Sequence, residues 1–442
     1  MTTSIDRIIR FFIKDRFLIG ASILRFIFGA LILYYYLIHY TQRYFLWSGV
    51  GFNIIDNEIK DSTYSLYNLS DNLFYFDIIF HLGIAFAFLY TIGYRGKIFS
   101  ILNFIFYYSL YKRTMYIGDG GDNLMCVALF YLLFANCTEY FSVDANRKKA
   151  ANKFVSILHN FSIMMCIIQL CIVYFTSGFY QIIGSMWNNG TAIYYISQVK
   201  AFSRPVLTSF SDHFVYLSII ATYLSIIIKI SFPFLLFNKF SKIVIVLAIM
   251  MFHLGIGIGM GLITFSITMI SMEALLFTDA DYRKLYTCMT NKYFLMKDKL
   301  MKRTSRLGHQ YLYEHKIVVF YDGWCSMCQQ VKTNCEKMDM FNLVQFVSFR
   351  EPETITSYSL DITRLEARMH SKKLKSSVVV DGIDSIIQLA KRIIMYWPLL
   401  PFLIASKYFG IGQACYDFIA KRRVIVSPNH CTDMCMREQV NK

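Results

Sequence analysis

Ile317-Val318-Val319-Phe320-Tyr321-Asp322-Gly323-Trp324-Cys325-Ser326-Met327-Cys328 runs five apolar residues straight into an Asp-Gly turn and a Cys-x-x-Cys pair. β-Branched and aromatic residues without polar alternation mark a strand buried on both faces. From Cys325 to about Met340 the pattern is helical. A second strand is expected at 343–349, a third at Ser377–Val380, and a helix from Ile383.

Strand, Cys-x-x-Cys, helix, strand is the opening of a thioredoxin-like α/β domain. In that setting Cys325 caps a helix N-terminus and Cys328 lies one turn in. The partial positive charge of the helix end stabilises a thiolate on the first cysteine. Cys325 is therefore expected to attack a disulfide, and Cys328 to resolve the mixed disulfide that forms. Asp322 either moves a proton to or from Cys328 or caps the turn. Two other arrangements compete. Cys431 and Cys435, with His430, are a second ligand set with which the first pair could build a zinc site. The same two cysteines could instead be a secondary shuttle dithiol. Cys335 is expected to pack in the interior.

Upstream, the sequence changes character. Residues 281–314 are strongly basic and lack apolar runs, which reads as a juxtamembrane linker resting on anionic lipid or simply solvated. Before it, apolar spans are expected at about 18–40, 73–93, 97–111, 122–138, 159–181, 215–237, 241–258 and 260–277. The last two, rich in glycine, allow one crossing and a broken piece. Residues 5–17 alternate basic and apolar positions, as an interfacial helix or a basic flank would. Over the 442 residues, 56% are hydrophobic and 17% charged. The charged share is well below the roughly 25% of soluble domains. The fold class expected is thus a polytopic α-helical membrane domain of about eight spans over 1–280, followed by a small thioredoxin-like α/β domain over 315–442.

The net charge of +16 does not call for nucleic acid, because Lys and Arg cluster beside the spans. Their distribution puts both termini in the cytoplasm, where thiols stay reduced. No cleavable signal peptide is evident. Polar residues inside spans are costly and default to functional candidates. Here these are Asp119, Asp122, Gln181, His253 and Glu273, with Trp187 at an interface. Asp122 is also a candidate helix N-cap.

The motif Phe320-Tyr321-Asp322-Gly323-x-Cys325-x-x-Cys328 resembles the signature of the DCC thiol–disulfide oxidoreductase family. Asp381-Gly382-Ile383-Asp384-Ser385, Tyr396-Trp397-Pro398, Tyr416 and Arg422-Arg423 extend the likeness over about 315–435. No proline precedes the expected strand at Val378, so the cis-proline loop that grips peptides in thioredoxins is not evident.

A second resemblance covers about 5–280. Gly118-Asp119-Gly120-Gly121-Asp122, the stretch from Ser177 to Tyr195, Phe252-His253-Leu254-Gly255 and Leu262-Ile263-Thr264-Phe265 look like the HTTM (horizontally transferred transmembrane) family. That family includes vitamin K-dependent γ-glutamyl carboxylase and proteins that mature sporulation-delaying-type peptide toxins. The resemblance implies a bacterial cytoplasmic membrane, a quinone or vitamin K-like lipid as cofactor, and a secreted peptide or toxin as partner beside membrane lipid. Carboxylation is not expected, because Tyr180 and Gln181 stand where the family's lysines would, and a neutral amide cannot act as the base. A non-enzymatic export or immunity factor and a plain carrier are the alternatives.

Overall fold

The computed structural model describes residues 13–49, 51, 64–113, 118–145, 152–307, 315–351, 354, 357–358, 361–376, 378–423 and 425. The chain divides into two compact units, Met1–Leu285 and Tyr286–Lys442. The 5–17 segment and the His430, Cys431 and Cys435 group fall mostly or wholly outside the described residues.

All eight apolar stretches of the first unit are helical. They form α1 (Leu18–Ile38), α2 (Leu73–Ile92), α3 (Gly96–Tyr111), α4 (Gly120–Leu132) and α5 (Lys153–Ile183). After a four-residue turn of helix at Ser185–Asn188 come the short helices α6 (Ala192–Gln198) and α7 (Pro205–His213), then α8 (Val215–Leu235), α9 (Lys239–Gly259) and α10 (Ile263–Met272). Five of these, α1, α2, α5, α8 and α9, are long and apolar enough to cross a membrane. That length and composition are what a membrane protein requires. Two bent helix pairs, one of them in the second unit, would raise the count to seven. The expected eight is reduced because α3, α4 and α10, at 16, 13 and 10 residues, are shorter than the ~20 needed to span a bilayer.

Some helix ends in this unit are satisfied by side chains. Asp119, not Asp122, is the N-cap of α4: its carboxylate accepts the Gly121 and Asp122 N–H groups, and Asp122 at N3 accepts the Asp119 N–H in return. This reciprocal capping box corrects the N-cap expected at Asp122, and it gives both carboxylates a structural task. The buried Arg25 guanidinium donates to the carbonyls of Tyr90, Thr91, Cys137 and Phe141, collecting otherwise orphaned acceptors.

In the basic stretch expected as a linker over 281–314, the described residues as far as Leu307 belong to a helix, α11 (Asp279–Leu307). Thr278 and Asp281 make a second capping box at its start, and Asp279 and Asp281 complement the helix dipole. No glycine or proline interrupts it before Gly308.

The second unit holds a four-stranded sheet of order β2-β1-β3-β4: β1 (Ile317–Tyr321), β2 (Val344–Ser348), β3 (His370–Lys373) and β4 (Val379–Asp381). β1 pairs parallel with β2 and antiparallel with β3, which is antiparallel to β4. The crossover from β1 to β2 is α12 (Ser326–Met338); α13 (Ile362–Ala367) leads to β3, and α14 (Gly382–Ala390) follows β4. A parallel βαβ half joined to an antiparallel ββα half is the thioredoxin-like arrangement. Two helices close the unit, α15 (Leu400–Tyr408) and α16 (Ile411–Ala420). The third strand expected at Ser377–Val380 is in fact the fourth, β4. The true third, His370-Ser371-Lys372-Lys373, carries no apolar signal to find it by. The segment entering it is Arg368-Met369, without proline, and there is no cis peptide bond among the described residues.

Candidate dithiol site and a second polar cluster

β1 ends at Tyr321, and Asp322-Gly323-Trp324 turns the chain into α12. Cys325 is the N-cap of that helix, and its Sγ accepts the Cys328 N–H at 3.3 Å. The sulfur therefore takes a role normally filled by a Ser or Asp oxygen, facing the N–H groups of the first turn. Both thiols are free. Cys325 has no exposed surface, whereas Cys328 is partly exposed. Ile425 pairs with Cys325 through an isolated antiparallel bridge.

Cys328 lines a cavity of about 520 Å3, mostly apolar, with Met327, Val331, Met369, Tyr416 and Arg423 among its walls. Burial and the hydrogen bond with Cys325 push the Cys328 thiol up to about 11, against the pull of Arg423, whose guanidinium lies 4.0 Å from Sγ. Arg423 is held by the Glu366 and Ala367 carbonyls. Tyr416 accepts the Met369 N–H at 2.7 Å, so the backbone donor entering β3 is occupied. Cys335 is buried in the core with Ile317 and Val319, its Sγ 3.7 Å from the Tyr396 hydroxyl.

Asp322 is buried and accepts two N–H bonds from Arg350, at 2.9 and 2.8 Å, and one from the Trp324 backbone at 3.0 Å. Arg350 also binds Glu366 at 2.7 Å and stacks over Trp324 at 4.3 Å. Burial alone would raise the Asp322 carboxyl, but the Arg350 pair outweighs it and holds the group below the usual carboxylate range. It is thus ionised at neutral pH, with no proton to give, and its oxygens fix the turn that aims the cysteines. Sequence reasoning missed Arg350 and Glu366, because both lie on separate elements and meet the motif only in space.

The membrane-unit candidates separate into three places. Asp119 and Asp122 end α4, as above. Gln181 and Trp187 line a cavity of about 840 Å3 with Leu207, Phe210, Lys229 and Phe252. His253 and Glu273 meet through Tyr174, whose hydroxyl donates to Glu273 Oε1 at 3.0 Å and lies 3.0 Å from His253 Nε2. With that hydroxyl committed, Nε2–H donates to the phenol oxygen. His253 Nδ1 and Glu273 Oε2 have no hydrogen-bond partner. Tyr174 and Lys229 were not singled out from sequence, although a lone lysine in Ile226-Ile227-Ile228-Lys229-Ile230 is itself a signal. Among the described residues no group of three or more His, Cys, Asp or Glu side chains could hold a metal ion.

Comparison with known proteins agrees with the second unit. Residues 319–427 match the family described as DCC1-like thiol-disulfide oxidoreductase. The uncharacterized protein YitO of Bacillus subtilis (strain 168) is 28% identical over 214 residues, covering 45% of this chain and 66% of that protein. The chain thus spans just under two thirds of that relative's length. No solved structure matches the chain. The chain therefore carries a DCC1-like thiol–disulfide oxidoreductase domain together with apolar, membrane-length helices.

Proposed function

We propose that this is an integral membrane thiol–disulfide oxidoreductase in which Cys325 attacks and Cys328 resolves. The observation that carries the reading is the Cys325 sulfur seated on the N-terminus of α12, one turn from a second thiol that opens on an apolar cavity. The Cys325 thiolate attacks one sulfur of a substrate disulfide, forming Cys325–S–S–R and releasing RS⁻. Cys328 loses its proton, attacks the Cys325 sulfur and releases the second thiolate. The substrate gains two electrons, and a separate thiol donor must reduce the Cys325–Cys328 disulfide before the next turnover. Asp322 is a positioning residue in this scheme. The Cys325 side chain is covered, so exchange requires a local opening around it. The apolar walls beside Cys328 favour a disulfide carried on an apolar molecule. The test is turnover of a small aromatic disulfide by the purified full-length protein. Cys325→Ser should abolish it, and unchanged turnover would reject the assignment.

The charge pattern supports a cytoplasmic dithiol acting as a reductant or sensor in a bacterial cytoplasmic membrane. For the first unit, the HTTM-like motifs and the 840 Å3 cavity support an apolar partner, a quinone-like lipid or a hydrophobic peptide under maturation. Carboxylation stays outside this proposal, since Gln181 supplies no base. Mass spectrometry of a co-expressed candidate peptide, with and without this protein, should show a mass shift or a changed disulfide state. An identical peptide in both samples would remove peptide maturation from the account.

A further inference from the structure

Lys229 sits in the middle of α8, among isoleucines, and only 7% of it is exposed. Gly178 on α5 lets α8 come so close that a Cβ there would lie 3.1 Å from Lys229 Cβ. The lysine stem is thereby fixed between the two helices. Its Nζ lies 4.7 Å from the centre of the Phe252 ring and 5.8 Å from that of Trp187, and both rings line the 840 Å3 cavity. Among the described residues no carboxylate or hydrogen-bond acceptor contacts this ammonium group. Glu273, a buried acid in the same unit, is bound to Tyr174 and does not line the cavity. Two aromatic faces weakly favour a cation, but they do not replace the water it has lost. Gln181 and Ser225 join Lys229 in a small polar spot, and the rest of the wall is hydrocarbon, including Leu207, Phe210 and Met251. A large apolar cavity with one converging polar corner is the usual form of a small-molecule site.

We propose that this cavity binds a single-chain lipid carboxylate, with the carboxylate on Lys229 and Gln181 and the hydrocarbon tail along α7 and α9. The proposal rests on the apolar-partner reading of the first unit and narrows it to a ligand with an acidic head. The anion supplies the counter-charge that the fold withholds, and the tail fills space no side chain occupies. Thiol exchange at Cys325 plays no part in it.

Trp187 provides the readout. The purified full-length protein is titrated with 9,10-dibromostearate, whose bromines quench nearby indole fluorescence, and separately with the matching alcohol, 9,10-dibromostearyl alcohol. Saturable quenching by the acid is expected, absent in Trp187→Phe, with affinity at least tenfold weaker in Lys229→Met and retained in Lys229→Arg. The alcohol should bind at least tenfold more weakly than the acid and be indifferent to Lys229→Met. If acid and alcohol quench alike in the unsubstituted protein, carboxylate recognition is wrong and the apolar-partner reading stands. If neither quenches Trp187, both are wrong. Without ligand, Lys229→Met should unfold at an unchanged or higher temperature. A lower one would assign Lys229 to holding the fold and overturn the proposal.

Discussion

At the scale of single residues, the dithiol depends on two charged neighbours. Asp322 and Arg350 form a two-pronged ion pair whose carboxylate is fully enclosed, while 14% of the arginine side chain stays exposed. Breaking a fully buried pair from one side costs about 3–5 kcal/mol. With one partner partly solvated, Asp322→Asn should cost about 2 kcal/mol. The sign of its pH dependence follows from the lowered carboxyl. The stabilisation is complete above about pH 4, near the unfolded value, and fades as pH falls through the folded one. Thermal unfolding followed from pH 7 to pH 2 should show this acid-side loss, and Asp322→Asn should flatten it. An unchanged profile would mean that Arg350 does not hold the carboxylate charged. Arg423 acts on the other cysteine. Cys328 titrates near 11 even with the guanidinium beside it. Arg423→Met should therefore slow alkylation of Cys328 at pH 8, about tenfold for each unit of upward shift. Peptide mass mapping after timed iodoacetamide labelling measures it; equal rates would count against the contact.

At the scale of elements, opening of the bridge between Cys325 and Ile425 is expected to expose the buried thiol. Ile425→Pro should disrupt this pairing and speed alkylation of Cys325 while leaving Cys335, deep in the core, unreactive. Equal Cys325 labelling in both proteins would show that the thiol is reached by another route. Much of this unit was legible in its sequence, because β1 is a continuous apolar run and the Cys-x-x-Cys pair fixes where α12 begins. β3 was not, since His370, Ser371 and two lysines become a strand only through pairing with β1 and β4. Tertiary context overrides local preference there. The same holds for Arg350 and Lys229: one reaches the motif from beyond β2, the other lines the cavity of Gln181 from a different helix. Spacing along the chain encodes neither approach. Both capping boxes, by contrast, are local and were within reach of pattern alone. The mistake at Asp119 and Asp122 was only which of two acids stands first.

At the scale of the whole molecule, one chain joins membrane-length helices to a DCC1-like α/β unit with two free thiols at its Cys-x-x-Cys motif. The function proposed above puts that unit in the cytoplasm, an expectation that rests on the charge pattern. Cys415 is exposed and serves as a reporter where the buried Cys325 cannot. A membrane-impermeant maleimide applied to intact cells should leave Cys415 unlabelled until the membrane is opened; labelling on intact cells would reverse the topology. The central claim is tested most directly by trapping the exchange intermediate on the full-length protein. The Cys328→Ser variant, incubated with an aromatic disulfide, should accumulate a mixed disulfide on Cys325, while Cys325→Ser should accumulate none. A mixed disulfide found on Cys328 instead, or none in either variant, would contradict the account.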